Sequence, residues 1–137
     1  MQSTYKILLA LYGVLNVPVV TDEIETIKFG QVSKISQSEF IALNTINNPN
    51  QYLQNGFVNV NIHIQKLSAG EDNHSRFQKL TDIIIPLLDE TQITTENGTF
   101  YFQIDDDKGI FDDPDRDGMS YYNLRIEFQT LGKRITF

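Results

Sequence analysis

The clearest pattern in the chain is a strict alternation of apolar and polar residues from Val58 to Ile64. A period of two places the apolar side chains on one face of a β-strand and the polar side chains on the other. Two further alternations, over Phe100–Ile104 and Tyr122–Phe128, predict two more strands. Weaker apolar signals around Ile27–Val32 and over Phe40–Ile46 indicate shorter strands. The well-patterned strands are expected to bury one face each.

Two other segments show helical periodicity. Apolar residues recur every three or four positions over Tyr5–Leu15 and again over Asn73–Leu88. Because the residue before a proline avoids helical backbone angles, Pro18 should end the first helix, and Val17–Val20 is expected to be extended. Pro86 lacks a backbone donor and should kink or end the second helix near Ile85.

Turn-forming residues separate these elements. Asn97-Gly98 is typical of a tight hairpin turn, and residues 47–56 are dense in asparagine with one proline, which predicts a surface loop. Short links favour antiparallel pairing. The sequence therefore predicts a single α+β domain over residues 1–137. Its mostly antiparallel sheet of four to six strands would be covered on one face by two helices, and residues 132–137 would form a C-terminal arm.

The composition bounds the classes of protein that this chain can belong to. Its 137 residues, of which 40% are hydrophobic, suffice for one domain with a buried core. The absence of cysteine excludes disulfides, thiolate zinc sites and cysteine nucleophiles. A net charge of −7 argues against binding to nucleic acids or to anionic membranes. The apolar run Ile7–Leu15 is too short to span a bilayer.

An acidic segment, Asp105–Gly118, holds seven aspartates in fourteen residues. Repulsion among these carboxylates predicts a solvated hairpin tip, an ion site or a surface for a basic partner. The last six residues of the segment match the first half of a calcium-binding loop. The candidate metal ligands are Asp113, Asp115 and Asp117. Position 12 of such a loop is a glutamate, but the residue here is Leu124, so a solvated turn and a calcium site both stay open.

No catalytic pattern stands out. His63 and His74 are the only histidines, and neither has a matched partner at recognisable spacing, which favours surface positions for both. General acid–base chemistry needs two carboxyl groups in different environments, whereas neighbours on an exposed tip share one. We therefore expect no catalytic residues and no cofactor other than the calcium ion considered above, and the chain is not expected to be an enzyme.

The polar sides of the two longest strand patterns are rich in amides and poor in like charges. Such a face is either hydrated or a subunit interface, since amides can hydrogen-bond across strands without the desolvation penalty of ions. The candidate interface residues are Asn59, Asn61, His63, Arg125 and Glu127.

The order of elements resembles the tail-completion and tail-terminator proteins of long-tailed bacteriophages and related prophages. The resemblance covers almost the whole chain and rests on degenerate patterns rather than on a catalytic motif. The matching segments are Tyr5–Leu15, Glu39–Ile46, Val58–Ile64, Arg76–Leu88, Phe100–Ile104 and Tyr122–Phe128.

This resemblance implies a structural virion protein of the tail or neck, present in the host cytoplasm during assembly. Such proteins form a homo-oligomeric ring, often a hexamer, that caps the tail tube and joins it to the head. The implied partners are further copies of the chain, tail tube proteins and neck or connector proteins. The acidic hairpin and the 47–56 loop would contact these neighbours, and an acidic bore would let DNA pass without adhesion.

Two other classes of protein compete with this interpretation. One is a small calcium-dependent binding module that uses the loop Asp113–Gly118, whose stability would depend on calcium. The other is an acidic inhibitor that mimics DNA phosphates, whose association rate with a basic enzyme would fall steeply with salt. The phage interpretation predicts self-assembly that is indifferent to calcium.

Overall fold

The computed structural model describes residues 3–30, 38–48 and 53–131, which form three helices and six strands. The helices are α1 (Thr4–Leu15), α2 (Pro18–Thr21) and α3 (His74–Leu88). The strands are β1 (Ile27–Phe29), β2 (Phe40–Asn47), β3 (Leu53–Gln65), β4 (Thr91–Thr95), β5 (Gly98–Asp112) and β6 (Met119–Leu131).

All six strands belong to one sheet, in the order β1-β2-β3-β6-β5-β4. Only β1 and β2 are parallel, and the other four neighbouring pairs are antiparallel. The predicted α+β class with a mostly antiparallel sheet is therefore confirmed, although the sheet is mixed and the described residues form three helices rather than two.

Residues at the start of each of the first two helices explain where these helices begin. The Ser3 side chain accepts a hydrogen bond from the Lys6 backbone N–H at 3.2 Å and so caps α1. Val17 is extended, as expected of a residue before proline, but Pro18 then starts α2. The prediction of an extended Val17–Val20 was therefore wrong from Pro18 onward, because the fixed φ of proline suits the first turn of a helix.

The third helix has the extent that its periodicity predicted, and Pro86 does not end it near Ile85. Asn73 caps it by accepting from the Arg76 backbone N–H, and the helix continues through Pro86 to Leu88. The Arg76 guanidinium also contacts the carboxylates of Glu23 and Glu39, at 2.9 and 3.3 Å. These ion pairs tie α3 to the segment after α2 and to the start of β2. No helix in the described ranges is long and apolar enough to cross a membrane.

One hydrophobic cluster joins helices and sheet. Buried side chains of α1 and α3 share it with alternate residues of β2, β3, β5 and β6. On β3 these are the four apolar positions of the alternation seen in the sequence, and all four are fully buried. Each strand thus turns one set of side chains into the core and the other set away from it. The core-forming strand residues include Leu43, Val60, Ile62, Phe102, Leu124 and Ile126.

The acidic segment differs most from its prediction. Residues 105–112 lie within β5, and only Asp113–Gly118 forms the turn to β6. The strand accommodates the charge because several carboxylates have individual partners, and two irregularities in its pairing with β6 interrupt the regular ladder. Contacts join Asp105 to Arg125 at 2.7 Å and Asp112 to Lys66 at 2.6 Å. Burial, and then a hydrogen bond to Asp107, raises the pKa of Tyr122 to about 12.

Some predicted features lie wholly or partly outside the described residues. The C-terminal arm, residues 132–137, is one of them. The 47–56 loop is another in part, since β2 reaches Asn47, β3 begins at Leu53, and residues 49–52 lie outside the description.

Gly56 provides a test of the packing between β2, β3 and β6. A Cβ atom there would lie 2.5 Å from the Asn47 carbonyl oxygen and 2.9 Å from the Phe128 ring. Gly56→Ala should therefore lower the free energy of unfolding by about 1–3 kcal/mol, which urea denaturation would measure. Gly13→Ala is the control, because its nearest neighbour would be Ile93 at 3.8 Å and alanine favours α1 by up to about 1 kcal/mol. Equal effects of the two substitutions would contradict the described strand packing.

Candidate functional site

The strand side chains that point away from the core form a second layer, which we call the polar face. It consists of the alternate residues of β2, β3, β6 and β5 that do not belong to the hydrophobic cluster. Phe40, Ala42 and Met119 are buried in this layer, outside that cluster. Because the register of the four strands sets their neighbours, these side chains form rows that run across the sheet.

One row consists of four stacked rings. Phe40, His63, Tyr121 and Phe111 are direct cross-strand neighbours on β2, β3, β6 and β5. The ring centroids of successive members are 4.3, 5.3 and 5.5 Å apart, with interplanar angles of 15°, 27° and 22°. Offset stacking of this kind contributes about 0.5–1.5 kcal/mol per pair beyond the burial of area. We call this set the ring row.

The turn Asp113–Gly118 folds back onto the ring row. Asp113 Oδ2 lies 2.9 Å from His63 Nδ1 and 3.3 Å from Arg116 Nη1. The Arg116 guanidinium lies over the Phe40 ring, 4.9 Å from its centroid. Only 9% of Asp113 and 5% of Arg116 is exposed, so the prediction of a solvated tip was wrong for these two residues. They can be buried because the two opposite charges pair with each other.

Backbone contacts hold this turn in place. Asp113 Oδ1 accepts a hydrogen bond from the Asp115 backbone N–H at 3.0 Å, and this contact forms an Asx turn. The Asp113 N–H donates to the Met119 carbonyl, and the Gly118 carbonyl accepts from Lys66 N–H at 2.8 Å. Gly118 has a φ of 75°, a conformation that suits glycine. The turn is therefore anchored to β3 as well as to its own hairpin.

The protonation states of His63 and Asp113 follow from their surroundings. Burial between two rings lowers the pKa of His63 below its ordinary value, and this outweighs the opposing effect of Asp113. Burial would raise the pKa of Asp113, but hydrogen bonds from the Asp115 backbone and from His63, together with the Arg116 charge, lower it overall. An ionised carboxylate only accepts, so neutral His63 must carry its hydrogen on Nδ1 and donate it to Asp113. His63 is buried, not on the surface as expected.

The three candidate metal ligands do not lie in equivalent surroundings. The carboxylate of Asp113 is already bound by His63 and Arg116, whereas Asp115 and Asp117 are exposed. Within the described residues, no group of three histidine, cysteine or acidic side chains is arranged to hold a metal ion. Calcium binding by this loop stays a prediction.

An amide network lies next to the ring row on the polar face. The Asn123 side-chain N–H₂ donates to Asn61 Oδ1 at 2.5 Å and to Asn59 Oδ1 at 3.1 Å. The Asn59 amide in turn donates to Asn44 Oδ1 at 3.2 Å. Four asparagines from β2, β3 and β6 thus bond to one another, which fixes the orientation of their amides.

The two charged interface candidates, Arg125 and Glu127, follow Asn123 along β6. Arg125 Nε donates to Asp105 at 2.7 Å, and the Arg125 guanidinium lies over the Phe57 ring at 4.9 Å. Glu127 accepts a hydrogen bond from the Gln103 side chain. The structure therefore places all five interface candidates on the polar face, where four of them are partly exposed and His63 is buried.

Several residues of this site were missed in the sequence. Phe40 belongs to a predicted strand, whereas Phe111 lies in the acidic segment and Tyr121 just before the last alternation, and a pattern within one strand does not identify the cross-strand neighbour. Arg116 lies within the acidic segment and was not singled out. The signal that was available is the short spacing between Asp113 and Arg116, which suits an ion pair within a turn.

Neither a protein-family model nor a curated protein sequence matches the chain.

The His63–Asp113 contact predicts a dependence of stability on pH. Since folding lowers the pKa of His63, the unfolded chain binds the proton first, and the free energy of unfolding should fall as the pH decreases below 6.5. Asp113 should add a second loss below 3.8. Urea denaturation between about pH 7.5 and pH 4.5 would measure the first effect. His63→Gln should remove the dependence near pH 6, whereas His74→Gln, at an exposed position, should keep it.

Neighbouring aspartates provide a second test. Asp113→Ala breaks the buried ion pair with Arg116 and removes the acceptor of His63, and it should lower the free energy of unfolding by about 3 kcal/mol. Asp112→Ala removes an exposed contact with Lys66 and should change stability little. Thermal unfolding of both variants at pH 7 gives the comparison. A larger effect at Asp112 would be incompatible with a buried pair at Asp113.

Proposed function

We propose that this protein is a structural virion protein of a tailed bacteriophage or prophage, which forms a ring at the tail end or at the head–tail junction. The observation that supports it best is the polar face, a broad surface of oriented amides and paired charges outside the hydrophobic core. The kind of assembly that we propose, a ring of a phage tail or neck, comes from the resemblance in the order of elements to phage tail proteins. The proposal assigns no catalytic role to the chain.

The arrangement of the helices supports the use of this face for contacts between subunits. We infer that α1 and α3 cover the core side of the sheet, since their buried residues share one cluster with the inward strand residues. The polar face would then be the side of the sheet that a neighbouring subunit can reach. A second copy placed against it would bury amide groups rather than unpaired ions.

The chemistry of the face suits such a contact. Its amides are already held by hydrogen bonds between Asn59, Asn61 and Asn123, so little side-chain freedom remains to be lost on association. The charged residues Arg125 and Glu127 have partners within the chain. Interfaces of this type are polar, with water at the rim and many hydrogen bonds.

The acidic strand fits the passage of DNA through a ring. Asp105, Asp106 and Asp107 are exposed on β5, in a chain with a net charge of −7. Carboxylates facing a bore would repel phosphates and prevent adhesion. The proposed partners are further copies of the chain, tail tube proteins and neck or connector proteins.

The mass in solution tests this proposal. Light scattering should give a mass several times 15.7 kDa that is unchanged by millimolar calcium. A 15.7 kDa species over the whole accessible concentration range would contradict self-assembly into a ring. A monomer stabilised only by calcium would instead favour the binding module with Asp113, Asp115 and Asp117 as ligands. Calcium at a hundred times its dissociation constant would then add about 2.7 kcal/mol.

A matched pair of substitutions tests which surface assembles. Asn59→Lys places a charge within the amide network of the polar face and should shift the protein towards the monomer mass. Gln78→Lys places the same charge on an exposed position of α3 and should leave the mass unchanged. Melting temperatures of both variants would show that the fold is kept. Dissociation by the α3 variant alone would place the interface elsewhere.

A further inference from the structure

A pocket of about 230 Å³ is lined by residues of β5 and β6 and by Glu90. Two cross-strand pairs of β5 and β6 belong to its lining, Tyr101 with Gln129 and Gln103 with Glu127. Glu90, the residue before β4, and Phe102 complete its lining. Its volume is below the range of about 300–1,000 Å³ for small-molecule sites, so it suits one side chain rather than a cofactor.

The charges of the pocket all have one sign. Glu90 and Glu127 supply two carboxylates, and none of the six lining residues is basic. The Gln103 amide donates to one oxygen of Glu127 and so orients that carboxylate. Half of Tyr101 is exposed, which leaves its side chain accessible to a ligand. An anion would be repelled here, whereas a cation would meet carboxylates and an aromatic side chain together.

The polar face already holds two arginines in surroundings of this kind. Arg116 lies over Phe40 and contacts Asp113, and Arg125 lies over Phe57 and contacts Asp105. In both cases the guanidinium contacts a carboxylate and the face of an aromatic ring. The pocket repeats the carboxylate and the aromatic side chain, with Glu127 and Tyr101, but none of the described residues that line it is an arginine.

We propose that this pocket binds an arginine side chain of a partner protein. A guanidinium is planar, so it can stack on the Tyr101 ring while its N–H groups donate to the Glu127 carboxylate. Glu90 adds a second carboxylate at the rim next to β4. The net charge of −7 further favours approach by a basic partner.

The inference extends the proposed function by naming a residue that a neighbouring tail or neck protein would present. It rests on that function only for the identity of the partner. The pocket itself can be tested on the isolated chain, whether or not the chain forms a ring.

The test uses N-acetyl-arginine amide as the probe, followed by nuclear magnetic resonance. We expect saturable shifts of the signals of Tyr101, Gln103 and Gln129. N-acetyl-citrulline amide has nearly the same shape without the charge and should bind at least about tenfold more weakly. Glu127→Gln should weaken binding of the arginine probe about tenfold, and Tyr101→Leu should weaken it as well. Glu96→Gln, at an exposed position in the β4–β5 turn, should leave the affinity unchanged.

Several results would overturn the proposal. These are equal binding of the citrulline probe, shifts that map to another surface, or equal loss of affinity in the Glu96 and Glu127 variants. The mass measurement is a separate readout. A monomer that binds the arginine probe would therefore support the arginine site and contradict the proposed ring.

Discussion

The pairing of β3 with β6 is the constraint on which the rest of the structure depends. Each strand has thirteen residues, and their register is continuous from Leu53–Leu131 to Gln65–Met119. This register determines which side chains lie on each side of the sheet, because a shift by a single residue would move every side chain of a strand to the opposite side. It sends Val60 and Leu124 into the core together, and it places His63 beside Tyr121 on the other side. The hydrophobic cluster and the polar face are therefore consequences of the same pairing.

The acidic turn shows how such a face can bury charge at the edge of a small domain. Removing one carboxylate from water is costly, but Asp113 receives hydrogen bonds from a histidine, an arginine and its own turn. The ring row supplies the platform on which these groups lie, since Arg116 stacks on Phe40 and His63 lies between Phe40 and Tyr121. Local charge density therefore does not decide exposure here, because pairing with specific partners outweighs average repulsion.

The limits of prediction from sequence follow from the same physics. The alternation over Val58–Ile64 sufficed to assign both faces of β3, because periodicity is a property of one strand. The burial of Asp113 depends on His63 of β3 and on Arg116, which lies over Phe40 of β2, and of these contacts only the spacing to Arg116 can be read from the sequence. The prediction of an extended segment after Pro18 failed for a different reason, since proline both ends one helix and suits the start of the next. The pocket was not foreseen because Glu90 and Glu127 come together only through the register of β4, β5 and β6.

The repeated arrangement of arginine, carboxylate and aromatic ring links the stability of this face to the arginine binding that we propose for it. Within the chain, Arg116 and Arg125 show that the sheet spacing lets a guanidinium reach a ring and a carboxylate at once. A partner that presents an arginine to Tyr101 and Glu127 would use the same geometry without a rearrangement of the backbone. Preorganised groups lose little freedom on binding, so such a contact can be specific while burying a small area. A face that stabilises the fold through these contacts is thus already suited to an interface.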